Sequence, residues 1–333
     1  MASTTADAGV SVLVHDEAPA AKGWLVGPWF DALFIANIAW PLLLLLQFDD
    51  GFNGEPGIRF WQLYFITTPH RWITLAIVFL DGERLKARAG TFLAIAAGVV
   101  VFCVGVQLTT GALTCLMAID YVWNAWHFAS QHHGIYGIYG RLSGAPPSRG
   151  AAFEKWTMRG FLLYVILRIV SATWSEAAWT ETLAMFDWFA IIVPVGLVAW
   201  ASVQWRTLSA GRVLYLVSML GLYSTLLWAV HQRRLGLVLI LTTASALFHA
   251  VEYLALVSWS VQQRHEKLGG QMGALGHLVP RWGIALAVFV VVLGAGAWFM
   301  DQRFVEVWLL LNVMAAFLHY AYDGLIWRRR ATA

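Results

Sequence analysis

The sequence consists of one apolar segment after another, each about 20 residues long, which is the length needed to cross the hydrocarbon core of a bilayer. Only 12% of the 333 residues are charged and 59% are hydrophobic, whereas soluble domains carry about 25% charged residues. A backbone inside lipid must satisfy its own hydrogen bonds, which a helix does within a single segment. The sequence therefore predicts an all-α, polytopic integral membrane helical bundle.

We expect about 10 transmembrane helices, counted from the apolar segments. Residues 1–25 are polar and alanine-rich and are expected to form a flexible cytoplasmic tail, while residues 26–330 are expected to form a single multi-span transmembrane domain. The expected spans are residues 28–47, 60–80, 91–109, 111–135, 158–175, 184–202, 212–230, 235–259, 282–300 and 305–326.

The distribution of basic residues predicts the orientation in the membrane. Arginine and lysine follow the even-numbered spans, for example Arg84, Arg141 and Arg264, and cytoplasmic loops are the ones enriched in these residues. An even number of spans then places both termini in the cytoplasm, and we expect the protein to reside in a bacterial inner membrane. The net charge of +3 says little about nucleic acid, and no nucleic-acid partner is expected for a chain of membrane-spanning segments.

Four polar residues lie on one stripe of the fourth expected span. Asp120, Asn124, His127 and Gln131 are separated by steps of four, three and four residues, so they lie above one another on a helix. A carboxylate, two amides and an imidazole on one face of an apolar helix must point at something polar. His132 and His133 follow, about 120–140° around the helix from His127, so both can face the same ion only if the helix unwinds near Gly134.

Three further spans of the same direction contain histidines at a similar depth. Ionisable residues inside a membrane are costly and tend to be functional, and inward-facing histidine and carboxylate pairs at helical spacing form the metal sites of helical bundles. The sequence therefore predicts a metal site whose ligands are drawn from His70, His127, His132, His133, His249, Glu252, His319 and Asp323. Asp120, Asn124, Gln131 and Asn312 are expected to orient these ligands through hydrogen bonds.

The ligand types indicate which metal is expected. Imidazole and carboxylate without thiolate suit non-haem iron, manganese or zinc, and Cys103 and Cys115 lie in apolar segments away from the histidines. The candidate ligands form two layers: four histidines at one depth, and a second set one helical turn nearer the cytoplasm that includes His132, His133, Glu252 and Asp323. Two layers of ligands favour two iron ions over one. Zinc is the alternative ion, and haem held by two histidines is a further alternative.

The segment His127-x-x-x-Gln131-His132-His133 resembles a histidine box of the membrane fatty-acid desaturases and hydroxylases, which are integral di-iron oxygenases. The resemblance covers about seven residues, and it departs from the family because a second box of the type His-x-x-His-His is absent from the sequence. It implies O₂-dependent oxidation of a hydrophobic substrate at a non-haem iron centre that includes His127, His132 and His133.

We therefore interpret the chain as a membrane-embedded, metal-dependent oxidoreductase of the monooxygenase or desaturase type, acting in lipid metabolism on a lipid-like hydrophobic substrate. Tyr253 and Tyr320 are candidate catalytic redox or proton donors. No flavin, nucleotide or iron–sulfur motif occurs in the sequence, so a separate electron-donor protein is expected. The alternatives are an intramembrane zinc hydrolase of a lipid and a proton-coupled transporter.

Three charged residues within or beside the spans have a structural interpretation. Arg168 and Asp187 lie inside neighbouring spans, and we expect them to form an ion pair. Asp81 follows the second span beside a charged stretch, and we interpret it as part of a solvated helix end.

Overall fold

The structure, a computed structural model, is helical almost throughout. It describes residues 23–48, 60–143, 150–174, 177–204 and 208–327. About 90% of this part of the chain is helix, and none of it is β-strand. The expected all-α class is therefore confirmed for the described residues. Nearly all of the expected tail, and the three arginines at 328–330, lie outside them.

Nine long helices follow a short N-terminal segment of helical turns within the described residues. The segment consists of turns at Pro28–Phe30, Asp31–Ile35 and Trp40–Phe48. The long helices are α1 (Phe60–Leu80), α2 (Gly82–Thr110), α3 (Thr114–Leu142), α4 (Ala151–Trp174), α5 (Trp179–Val203), α6 (Ala210–His231), α7 (Leu235–Leu268), α8 (Trp282–Arg303) and α9 (Val305–Ile326).

Seven of these helices, α1, α2 and α5–α9, are long and apolar enough to cross a membrane. The chain is therefore an integral membrane protein. Two of the remaining expected spans fall on α3 and α4, which are 29 and 24 residues long. Polar and charged side chains lower the mean hydropathy of these two helices. They are therefore long enough to cross a membrane but less apolar than the other seven. The expected span at 28–47 corresponds to the short N-terminal turns.

The membrane-competent helices divide into an outer and an inner group. The most apolar stretches of α2, α5 and α8 are 11%, 17% and 11% buried, so these helices expose apolar side chains around most of their circumference, as lipid-facing helices do. The same stretches of α1, α6, α7 and α9 are 44–61% buried. The inner group, with α3 packed against it, contains the histidines identified in the sequence.

Asp81 does not lie at a solvated helix end, so that interpretation was wrong. Its side chain is fully buried between α1 and α2, where it accepts a hydrogen bond from the backbone N–H of Arg84 and caps α2. It also pairs with Arg264, whose guanidinium lies 2.8 Å away. The partner that buries this carboxylate is distant in the sequence, so the local charged stretch around Asp81 could not reveal it.

Candidate metal centre

Three histidines from three different helices meet in the interior. His70 comes from α1, His127 from α3 and His319 from α9, and one ring nitrogen of each lies within 4.8 Å of the others. Their side chains are at most 7% exposed. The closest pair is His127 Nε2 and His319 Nε2, which are 3.1 Å apart. We call these three residues the histidine cluster.

A widened helical turn positions His70. Leu63–Thr67 forms a π-helical turn just before Pro69, whose ring cannot donate a backbone hydrogen bond within the helix. The carbonyl of Thr67 accepts a hydrogen bond from His70 Nδ1 over 2.9 Å. Donation from Nδ1 fixes the tautomer and leaves the lone pair on Nε2, which is buried without a hydrogen-bond partner among the described residues.

A chain of hydroxyl groups positions His319. Its Nδ1 lies 2.6 Å from Thr74 Oγ1, which lies 2.6 Å from the hydroxyl of Tyr253, and that hydroxyl donates to Asp323. The chain is satisfied when His319 donates from Nδ1, Thr74 donates to Tyr253, and Tyr253 donates to the carboxylate. His319 Nε2 then has no hydrogen and faces His127 with its lone pair, as a ligand nitrogen does.

Thr74 is the only described residue that contacts His319 Nδ1 through a hydrogen bond, and its removal should weaken metal binding. Partners of this kind typically contribute about 10–100-fold to metal affinity. We expect Thr74→Val to lower the affinity by that factor, measured by competition with a metallochromic chelator. Thr74→Ser keeps the hydroxyl and should retain wild-type affinity. Equal affinities for the valine and serine variants would contradict this role.

A fourth histidine, His249 of α7, lies against the cluster. Its ring centroid is 5.2 Å from that of His70 and 5.5 Å from that of His127, and its ring stacks on Phe128. Both of its ring nitrogens are buried without a hydrogen-bond partner among the described residues. A buried and unpaired imidazole is costly. An ion bound at the cluster would give these nitrogens a partner.

The closest pair of nitrogens in the cluster has the spacing of two ligands of one metal ion. Two nitrogens that each lie ~2.1 Å from one ion, at roughly tetrahedral or octahedral angles, are themselves about 3.0–3.4 Å apart. The distance of 3.1 Å between His127 Nε2 and His319 Nε2 falls in this range. Asp323 adds a carboxylate, with Oδ2 3.9 Å from His127 Nε2. The three imidazoles of the cluster could therefore hold an ion.

A second polar group lies beside the cluster around His132 and Glu252. His132 Nδ1 is 2.6 Å from the hydroxyl of Tyr215 and 3.4 Å from Glu252 Oε2, and its Nε2 is 3.3 Å from the hydroxyl of Tyr223. The other oxygen of Glu252 accepts a hydrogen bond from Asn37. The structure thus places His132 and Glu252 together, but with both imidazole nitrogens already engaged by tyrosines.

His133 is not part of either group among the described contacts. Helix α3 stays helical to Leu142 and does not unwind at Gly134, so His127 and His133 point in different directions. The electrostatic surroundings of His133 are positive, with contributions from Arg159, Lys155, Arg212 and Arg141. Positive surroundings oppose the binding of a cation at this position.

The residues expected to orient the ligands form no hydrogen bond to the rings of the cluster among the described contacts. Tyr320 donates its hydroxyl to Asp120 and Asn124, and its ring lies 4.9 Å from the ring of His127. The two polar residues therefore hold a tyrosine that contacts the cluster. Gln131 donates to the backbone carbonyl of His249. The side-chain oxygen of Asn312 is buried without a partner among the described residues.

A cavity of about 440 Å³ adjoins the cluster. His127, Tyr253, Tyr320 and Asp323 line it at the cluster, so a molecule in the cavity would reach His127. The remaining walls are largely aromatic and aliphatic, and Arg141 and Arg159 also line it.

Sequence reasoning missed several neutral residues that position the site. Thr74, Asn37, Tyr215 and Tyr223 contact site residues, and two of them come from α6, in which the sequence predicted no site residue. Asn37 adopts a left-handed backbone (φ 48°), a conformation that asparagine tolerates better than most residues. The two tyrosines of α6, at 215 and 223, were the available signal.

Comparison with protein-family models, curated proteins and solved structures finds no match to this chain.

Proposed function

We propose that the protein is a membrane-embedded oxidoreductase that uses a histidine-ligated non-haem iron centre to oxidise a lipid-like hydrophobic substrate. The observation that supports it best is the meeting of His70, His127 and His319 in the interior, with nitrogens within 4.8 Å of one another. His249, with two unpaired buried nitrogens, would be the fourth ligand. Iron bound there would supply O₂-dependent oxidation chemistry.

The chain's own residues prepare such a site in three ways. The hydrogen bonds from His70 to Thr67 and from His319 to Thr74 fix the imidazole tautomers, so that Nε2 is available on each ring. The low exposure of the cluster excludes bulk water. Tyr253 and Tyr320 both reach the cluster and the cavity, and Tyr253 can pass a proton to Asp323 through their hydrogen bond.

A second ion is part of the proposal, since two layers of ligands were expected. Its nearest ligands would be His132 and Glu252, and the tyrosine hydroxyls that engage His132 would have to turn away. A separate protein would donate the electrons.

A zinc hydrolase acting on a lipid is the second candidate. Three histidines with an open position are a known ligand set for catalytic zinc, which activates a bound water. The same centre would then work without O₂ or an electron donor.

We further propose ten crossings with both termini in the cytoplasm of a bacterial inner membrane. The support is the placement of basic residues, such as Arg84 at the start of α2 and Arg264 near the end of α7, at one end of the bundle, where Asp81 joins them.

Metal analysis of the purified wild-type protein tests the proposed function. We expect about one to two iron ions per chain, and O₂ consumption when a lipid substrate and a reductant are supplied. Zinc at about one ion per chain with hydrolysis in the absence of O₂ would favour the hydrolase. A protein that binds neither ion after reconstitution would contradict both, and a transporter would then become the better interpretation.

A further inference from the structure

The cavity beside the histidine cluster has an apolar wall and a positively charged part. Its wall is formed by Trp123, Trp126, Ile135 and Leu256, which suit an apolar chain. Two arginines, Arg141 from α3 and Arg159 from α4, line the same cavity. A purely hydrocarbon substrate would leave the buried Nε of Arg159 facing apolar atoms, which is unfavourable.

Arg159 packs against aromatic rings and leaves hydrogen-bonding capacity for a ligand. Its guanidinium carbon lies 5.1 Å from the ring centroid of Trp126 and 5.8 Å from that of Trp156, so two aromatic faces support it. Its Nε is buried without a hydrogen-bond partner among the described residues. Arg212, by contrast, pairs with Glu154 over 3.2 Å.

The acidic side chain that lines the cavity is Asp323, and it belongs to the cluster. It accepts the hydrogen bond from Tyr253 and lies 3.9 Å from His127. The cavity is therefore lined by two guanidinium groups and one carboxylate, and the carboxylate belongs to the cluster. An anionic group of a bound molecule would pair with the arginines and be repelled by Asp323.

We propose that the substrate is an amphiphile with an anionic head, carboxylate or phosphate, which binds Arg159 and Arg141 while its apolar chain lies along the tryptophans and reaches His127. This inference deepens the proposed function and rests on it for the identity of the cavity's occupant as a substrate. The head group would be recognised by charge-assisted hydrogen bonds, for which the planar guanidinium is well suited.

Binding of matched ten-carbon probes tests the inference. Decanoate, decyl phosphate and decanol share one chain and differ only in the head group. Their binding is measured with metal-free wild-type protein in nanodiscs at pH 8, after subtraction of binding to empty nanodiscs. We expect at least one anion to bind about 10-fold more tightly than decanol, because hydrogen bonds to charged groups are the stronger ones. The tighter of the two anions identifies the head group.

Variants of Arg159 link the preference to the cavity. Arg159→Gln should abolish the preference for the anion, whereas Arg159→Lys should keep most of it because it keeps the charge. Arg141→Gln should reduce the preference and serves as a second variant if Arg159→Gln does not yield monodisperse protein. Arg281→Gln, at an exposed position outside the cavity, should behave as wild type.

Equal binding of decanol and both anions by the wild type would overturn the inference, as would an Arg159→Gln variant that retains the preference. These measurements use metal-free protein, so they are independent of the metal analysis. A protein that prefers anions but binds no iron or zinc would overturn the proposed function and leave the binding site in place. A protein that contains the metal but does not prefer anions would overturn the inference and leave the proposed function in place.

Discussion

Replacing His319 with alanine is expected to abolish retention of the metal ion that we propose for the histidine cluster. Apparent binding free energies of four-ligand structural zinc sites are about 10–16 kcal/mol, so one ligand accounts for roughly 2.5–4 kcal/mol. The affinity should therefore fall by two to three orders of magnitude, on the scale of about 1.4 kcal/mol per factor of ten. His127→Ala and His70→Ala should behave alike, because all three rings supply a nitrogen to the same cluster.

The measurement is metal content by mass spectrometry after dialysis against a weak chelator, together with substrate oxidation. His277→Ala is the matched control, because this histidine is exposed and lies outside the cluster. His249→Ala decides the number of imidazole ligands. An equal loss of metal makes His249 the fourth ligand, and retention of the metal leaves a three-histidine centre. A His319→Ala variant that is correctly folded and keeps its full metal content would contradict the proposed centre.

Apolar length and buried polar residues allowed the fold class, and the meeting of three of the histidines, to be anticipated from the sequence. Segments of about 20 apolar residues can only be helices in lipid, so the helical bundle follows from composition and length. Histidines inside such segments are costly enough to require a shared environment. The approach of His70, His127 and His319 from three helices is the arrangement that this cost favours.

The contacts made by neutral polar residues could not be predicted in the same way. Thr74 and Tyr215 are ordinary residues of a membrane helix, and only the rotation of each helix decides whether a hydroxyl faces a histidine. The π-helical turn before Pro69 changes that rotation for His70. Helix rotation depends on packing between segments that are distant in the sequence, and periodicity within one segment does not determine it.

The expected ion pair of Arg168 and Asp187 is confirmed, and its loss should be the most destabilising of the changes considered. Arg168 is 1% exposed, and its guanidinium contacts both carboxylate oxygens of Asp187, with Nε at 2.7 Å and Nη2 at 3.0 Å. Tyr164 also donates to Asp187. Removing one partner of a buried pair leaves an uncompensated charge and typically costs about 3–5 kcal/mol.

We therefore expect Arg168→Leu to lower the free energy of unfolding by that amount, measured by denaturant unfolding in mixed micelles. The exposed pair of Arg233 and Glu181, with side chains 74% and 68% exposed and 3.5 Å between them, supplies the control. Arg233→Ala should cost less than about 1 kcal/mol, because water already solvates both charges. The double variant Arg168→Leu with Asp187→Leu should recover part of the loss, since it leaves no unpaired charge. A double variant that is less stable than Arg168→Leu alone would show that the carboxylate stabilises the helices through Tyr164 and its other partners more than through the arginine.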